Sequence, residues 1–234
     1  MSGFRALLVW DLRMQYRYGF WVAGAGVTLT WVVLLRLLPP GYLEIWLPCL
    51  LYLDIGSIGL MFVAGVLFFE RRQGVIDALV VTPVGTSAWL ASKVLSLTLL
   101  SVAVACALVL LTAGTGVSWL RLVPCFALAA ALYTLCGFLA AAHLSNISSF
   151  LVATAVAGLP LCLPLLDYFD IWSHPLLWSN PAHPTLVLIR ESLSPRSALE
   201  LAAALLLTGA WIGVAFRLAV RAFHRRVSWR LGAA

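Results

Sequence analysis

The sequence predicts an all-α integral membrane protein with six transmembrane helices, preceded by an amphipathic helix in the membrane interface. The chain of 234 residues is 63% hydrophobic and only 10% charged, and its mean hydropathy is +1.02. Several apolar runs reach the length of about 18 residues that marks a membrane span. Basic residues outnumber acidic ones by 15 to 9, but they form no compact cluster, so composition does not indicate a nucleic-acid-binding protein.

Six apolar segments are long enough to cross a bilayer, and together they form one transmembrane domain over residues 19–220. Six crossings place both termini on the same side of the membrane. Eleven of the fifteen Lys and Arg residues fall on that side, which also carries the loop at 70–87. The positive-inside rule therefore predicts that both termini and this loop are cytoplasmic. The predicted spans are 19–38, 46–69, 88–113, 119–142, 147–168 and 198–220.

The segments outside the spans have their own patterns. Residues 1–18 carry apolar and basic side chains on different helical faces, which predicts a helix lying in the interface with its arginines toward lipid phosphates. Residues 168–197 are rich in proline, which predicts short or re-entrant helices over the outer face. Residues 221–234 are expected to form a basic cytoplasmic tail. In the helix predicted at residues 1–18, one face carries Phe4, Leu8, Leu12 and Tyr16, and another face carries Arg5, Arg13 and Arg17.

The loop at 70–87 is the one charged, turn-rich stretch between two long apolar runs. Glu70 marks the water boundary, Gly74 permits a turn, and Pro83 ends a segment long enough for about two helical turns. Val75 and Leu79 share a face of that short helix. Asp77 lies near its start, where a carboxylate favours the helix dipole. Lys93 follows just inside the next span, where its side chain can reach back to the interface.

This pattern resembles the loop between spans two and three of ABC type-2 permeases, the exporter-type membrane subunits of ATP-binding-cassette transporters. The matching residues are Glu70, Gly74, Asp77, Leu79, Pro83 and Lys93. The family usually has Glu where Asp77 stands. Asn180-Pro181 followed by Leu188 and Arg190 is also similar, and the Val-Val-Thr-Pro segment favours the drug-efflux, fluoroquinolone-export-like branch.

The resemblance implies a division of labour between subunits. The 75–81 helix becomes a coupling helix that docks in a groove of a separate ATP-binding subunit, which carries ATP and Mg²⁺. A second permease copy, or a paired permease, completes the transporter. The chain itself contains no Gly-x-x-x-x-Gly-Lys-Ser/Thr motif, so it is not expected to hydrolyse ATP or to be catalytic by itself. The implied function is efflux of an amphipathic or drug-like substrate.

Other functions remain open at this stage. A haem-exporter-type membrane subunit has similar length and span number, and His174 and His183 could then matter, although two exposed loop histidines are the simpler interpretation. A membrane subunit that only anchors an ATPase would carry the same loop. An intramembrane enzyme would need a serine and a histidine within hydrogen-bond reach. Ser57 lies within its span and His143 at a different depth, so this pair is not expected to meet.

One acidic residue lies deep inside a predicted span. Asp54 falls about 12 Å from the outer end of its helix, where an ionisable group is costly and is a candidate functional residue. It could contact a substrate, or it could form a structural ion pair with Arg36 at the end of the first span. It could also be a neutral carboxyl group bonded to a hydroxyl. Trp31, also inside a span, is assigned to packing, and the five cysteines are interpreted as small packing residues without a metal.

Overall fold

The computed structural model describes residues 2–39, 41–74, 85–142, 144 and 146–231. Over these ranges the chain is helical without a β-strand, so the predicted all-α class is confirmed. The helices are α1 (Ser2–Arg17), α2 (Phe20–Leu37), α3 (Leu43–Arg72), α4 (Thr86–Thr112), α5 (Trp119–Ala142), α6 (Ile147–Cys162), α7 (Pro164–Tyr168), α8 (Ala182–Leu193) and α9 (Ala198–Leu231), with a 3₁₀ helix at Pro175–Ser179.

Five of these helices, α2, α3, α4, α5 and α9, are each long and apolar enough to cross a membrane. The sixth predicted span, 147–168, is not one straight helix. Its two parts, 147–156 and 158–168, meet at an angle of 42°. Pro160 and Pro164 lack an amide donor, so the helical hydrogen-bond ladder is interrupted here. The described residues therefore contain six candidate membrane spans when this bent pair is counted as one span.

Side chains from other helices satisfy the carbonyl groups near this bend. The Tyr52 hydroxyl of α3 donates to the Leu161 carbonyl. The Asn180 side-chain amide donates to the Pro160 carbonyl at 2.7 Å. Non-helical backbone at membrane depth is tolerated where protein groups replace the missing backbone partners. These two donors therefore fix the bent crossing to the rest of the bundle.

The ends of two helices differ from the prediction. α9 continues to Leu231, so most of the segment predicted as a tail at 221–234 extends the last crossing as a helix. α3 runs from Leu43 to Arg72 and is longer than the predicted span 46–69 at both ends. Sequence hydropathy sets the limits of a span by polarity, whereas a helix continues through polar residues wherever neighbouring helices support it.

Helix α5 lies at the centre of the bundle and packs most closely on α3. A Cβ atom added at Gly137 would lie 3.0 Å from the Gly59 carbonyl oxygen, and one added at Gly59 would lie 2.7 Å from the Tyr133 Cβ. Apolar side chains gain little from leaving lipid, so helices in a membrane associate largely through close van der Waals packing. The two glycines therefore permit the central contact of the fold.

The peripheral helices are α2 and α9. In the membrane-spanning parts of α2 and α9 only 17% of the residues are buried within the chain, whereas 61% are buried in that of α5. The remaining apolar surface of α2 and α9 faces outward at membrane depth. These two helices form the perimeter of the bundle, while α3, α4 and α5 form its interior.

We expect Gly59→Ala to destabilise the chain by about 1–3 kcal/mol, because the new methyl group forces α3 and α5 apart. Gly209→Ala on α9 is the matched control, since an added Cβ there meets nothing within 4 Å. The control should be neutral or slightly stabilising, because alanine favours a helix. Thermal unfolding in detergent measures both, and equal melting temperatures for the two variants would contradict the close contact.

Candidate functional site

The candidate site lies at the end of the bundle from which the 75–84 loop emerges, called here the loop end. α3 leads into the loop through Gln73 and Gly74, and Gly74 has a φ of 68°. This left-handed conformation suits glycine and agrees with the turn predicted there. α4 leaves the loop at Thr86. The loop residues Val75, Asp77, Leu79 and Pro83 lie outside the described residues, so the short helix remains a prediction.

The two charged residues that flank the loop are buried and bonded to each other. The Lys93 ammonium of α4 donates to Glu70 Oε1 of α3. Glu70 is 4% exposed and Lys93 is 3% exposed. Glu70 is predicted at the water boundary and Lys93 within reach of the interface, and the structure shows that neighbouring helices enclose both side chains. Neither side chain offers surface to a soluble partner, and their contact joins α3 to α4 at the base of the loop.

Asp11 of α1 completes the cluster. Asp11 Oδ1 accepts a hydrogen bond from Lys93, and its Oδ2 accepts one from the Ser92 hydroxyl at 2.6 Å. Asp11 is 4% exposed. Buried charges in a low-dielectric environment require such pairing. We call Asp11, Glu70 and Lys93 the charge cluster, and it connects three helices, α1, α3 and α4.

A second set of contacts attaches Tyr18, the residue that follows α1, to α3 beside the charge cluster. The Tyr18 ring stacks on Phe69 with 4.8 Å between centroids. The Tyr18 hydroxyl accepts a hydrogen bond from the Gln73 side chain at 2.6 Å. Gln73 lies two residues before the loop segment that begins at residue 75. α1 is therefore bound to both chain segments that enter and leave the loop.

A small cavity, lined mainly by apolar side chains with a few polar groups, adjoins the charge cluster. Its volume is about 20 Å³, and Gln15, Glu70 and Lys93 are among its lining residues. Glu70 Oε2 and both polar atoms of the Gln15 side chain have no hydrogen-bond partner among the described residues. This space fits one water molecule, which needs two to four polar partners. A water here would link Gln15 of α1 to the free oxygen of Glu70.

Arg71 attaches the same end of α3 to the end of α5. Its guanidinium donates to the Leu144 carbonyl at 2.6 Å and to the Ala141 carbonyl at 3.0 Å. It also lies 5.0 Å from the centroid of the Phe68 ring. Carbonyl groups at a helix C-terminus lack intrahelical donors and attract cations. Arg71 therefore extends the polar contacts of the loop end to the central helix.

Asp54 is buried in the middle of the bundle, but its partner differs from the predicted ones. The Trp31 indole of α2 donates to Asp54 Oδ1 at 3.3 Å. Arg36 instead donates to the Leu111 carbonyl at 2.9 Å, so the proposed ion pair between Arg36 and Asp54 is not formed. The Trp31 side chain, assigned from sequence to packing alone, is therefore a polar partner across the α2–α3 contact.

The two histidines of the proline-rich segment, His174 and His183, occupy different environments. His174 is exposed, and its ring accepts a hydrogen bond from the Leu176 amide at 3.2 Å. His183 is 3% exposed and bonds Asp167 at 3.0 Å, so the interpretation of both as exposed loop residues is wrong for His183. The described residues contain no group of three or more potential metal ligands. His183 connects α8 to the bent crossing.

A separate group of charged residues closes the turn between α8 and α9. Arg190 donates to Glu200 at 2.6 Å, and Glu191 accepts the Arg196 and Ser197 amides at 2.7 and 3.0 Å. Burial raises the pKa of Glu191, but these amides and the Arg190 guanidinium together hold the pKa below its ordinary value. The resemblance had singled out Arg190, and its contacts assign it to the structure of this turn.

The fold and the loop end define a class of protein: a multi-pass helical membrane protein with a buried cluster of charges at the base of one loop. The chain matches the fluoroquinolones export permease protein family over residues 2–230. It belongs to that family, which confirms the predicted drug-efflux branch of ABC type-2 permeases. It is accordingly a membrane permease subunit of an exporter.

Two curated relatives support this assignment. Both are named fluoroquinolones export permease protein and come from two strains of Mycobacterium tuberculosis. Each is 31% identical to this chain over 180 residues, which is 76% of this chain and 76% of the relative.

Replacing the cation of the charge cluster tests its structural weight. We expect Lys93→Met to lower the free energy of unfolding by about 3–5 kcal/mol, because two buried carboxylates lose their common partner. Arg5→Met on the exposed face of α1 is the control and should change stability by no more than about 0.5 kcal/mol. Thermal unfolding of the full chain in detergent measures both. Equal effects would show that Lys93 is solvated rather than buried.

Proposed function

We propose that this chain couples ATP hydrolysis by a separate ATP-binding subunit to the export of an amphipathic, drug-like substrate. The partner carries ATP and Mg²⁺ and docks on the 75–84 loop. The observation that carries the proposal is the buried pair of Glu70 and Lys93, which joins the two helices on either side of that loop. A displacement of the loop is then transmitted to α3 and α4 together.

The charge cluster extends this coupling to α1. Because Lys93 also bonds Asp11, α1 follows the movement of α3 and α4. α1 is joined to the first crossing through Tyr18 and Gly19, so it passes the movement to α2. Glu70 and Lys93 therefore act behind the docking surface, and the partner itself contacts the loop residues, among them Asp77 and Leu79.

The remaining features of the proposal follow from charge and from the incomplete burial of two helices. The excess of basic residues at the loop end and the termini favours a cytoplasmic location for both, in a prokaryotic inner membrane. The outward apolar faces of α2 and α9 offer surface for lipid and for a second copy of the chain, so a homodimer or paired permease forms the complete membrane unit. A fluoroquinolone is the first substrate to test, because the M. tuberculosis relatives are named for its export.

The docking step is tested by Leu79→Asp. We expect this substitution to abolish copurification of the ATP-binding subunit from the native host, because a charge replaces an apolar contact of the loop. The variant should keep the thermal stability of the wild type in detergent. Leu199→Asp provides the matched control, since Leu199 is 81% exposed on α9. If Leu79→Asp and wild type retain the same ATPase, the loop is not the docking site.

The transmission step is tested by Asp11→Asn. This change keeps the shape of the side chain and leaves the ion pair of Glu70 and Lys93 in place. The chain should therefore fold and still bind its ATP-binding subunit. We expect export of a fluoroquinolone from intact cells to fall at least about tenfold, since the ionic link from α1 to α4 is lost. Asp11→Glu should restore part of the activity. Unchanged export by Asp11→Asn would exclude α1 from the coupling pathway.

A further inference from the structure

The charge cluster contains two acidic side chains and one basic side chain. Lys93 supplies one positive charge, whereas Asp11 and Glu70 would supply two negative charges if both were ionised. Among the described side chains no other cation bonds either carboxylate. All three side chains lie in the interior, between α1, α3 and α4. Because an uncompensated buried charge is costly, a buried acid in this position becomes neutral by holding a proton.

The hydrogen bonds of the cluster favour Glu70 as the group that holds this proton. Asp11 accepts two hydrogen bonds, from the Lys93 ammonium and from the Ser92 hydroxyl at 2.6 Å. Glu70 accepts one from Lys93 through Oε1, and its Oε2 has no hydrogen-bond partner among the described residues. Donors favour the ionised form of a carboxyl group. The balance of donors therefore makes Asp11 the better counter-ion of Lys93 and leaves the proton to Glu70.

An unbonded amide at the same place offers a partner for a protonated Glu70. Gln15 of α1 is 1% exposed, and both polar atoms of its side chain lack a hydrogen-bond partner among the described residues. Gln15 and Glu70 line the same small cavity. A buried polar group without a partner requires an explanation. The carboxyl O–H of a protonated Glu70 is a donor, and the Gln15 amide oxygen is an acceptor for it, directly or across the one water that fits the cavity.

We propose that Glu70 holds one exchangeable proton while α1 packs on α3 and α4, and that it releases this proton when α1 separates from them. Glu70 Oε2 is closed to solvent in the packed arrangement. Its O–H bond therefore breaks only after the helices part, when the proton passes to water and leaves the carboxylate behind. A hydrated glutamate has a pKa of about 4.3, so it stays ionised at neutral pH until the helices pack again.

The effect of pH on this step has a definite sign. The packed arrangement binds one proton more than the separated one, so a rise in pH favours separation by about tenfold per pH unit. The titratable groups that face Glu70 are Asp11 from α1, Lys93 from α4 and the Tyr18 hydroxyl beside the cavity. Arg71 directs its guanidinium to the end of α5. The link to transport rests on the proposed function: a cycle that moves α1 away from α4 releases and rebinds one proton at the loop end.

Infrared spectroscopy detects the proton directly in the full chain. In phospholipid nanodiscs at neutral pH, we expect a C=O band of a protonated carboxyl group that shifts when glutamate is labelled with ¹³C and that Glu70→Gln removes. Asp11→Asn should remove this band too, because Glu70 then ionises against Lys93. Glu44→Gln is the matched control, since Glu44 is exposed near the other end of α3. The control should keep the band.

Hydrogen–deuterium exchange of α1 measures its separation from α3 and α4. We expect exchange of the α1 amides in the wild type, divided by that in Glu70→Gln, to rise about tenfold per pH unit between about pH 6 and pH 9. The ratio removes the intrinsic effect of pH on amide exchange. Glutamine matches a protonated glutamate in shape and has no proton to lose, so Glu70→Gln should fold. Asp11→Asn should lack the rise, whereas Glu44→Gln should keep it.

The outcomes separate this proton site from the proposed function. The proposal fails if the wild type has no band of a protonated carboxyl group, or has one that Glu70→Gln leaves unchanged. A band that is lost in Glu70→Gln but shifts with labelled aspartate instead of glutamate places the proton on Asp11 and overturns the assignment. An exchange ratio that stays constant with pH contradicts release on separation of α1. None of these measurements uses the ATP-binding subunit, so a failure of ATPase copurification would contradict the proposed function and leave the proton site standing.

Discussion

The contact of Lys93 with two carboxylates on different helices is the interaction on which the loop end depends. A membrane interior offers no water to solvate charges, so each ion must find a partner inside the protein. Lys93 satisfies this demand only when α1 and α3 both lie against α4. The electrostatic requirement thus sets the position of α1, which hydropathy alone leaves free to lie anywhere along the interface.

The interior of the bundle depends on a different constraint, the shape of the helix surfaces. Apolar side chains gain little by leaving lipid for protein, so close contacts such as that between Gly59 and Gly137 must hold the helices together. The bent crossing follows the same logic for polar groups, since Tyr52 and Asn180 supply donors beside its prolines.

Helix α4 connects these two parts of the molecule. One of its faces carries Ser92 and Lys93 toward α1, where both side chains bond Asp11. A rigid helix moves as a unit, so in the proposed function a displacement at its loop end is carried into the interior of the bundle. The buried charges then act behind the docking surface.

The sequence by itself determined the helical class, the positions of the crossings and the family, because hydropathy and the 70–93 spacing are local properties of the chain. Glu70 and Lys93 were recognised by that spacing, but their burial was not, since it depends on the approach of α1. Asp11 had no distinguishing signal except Gln15 one turn later on an otherwise apolar and basic helix. The partner of Asp54 and the environment of His183 were decided only by tertiary structure. Each arises where side chains distant in sequence meet, and no local pattern specifies which helices become neighbours.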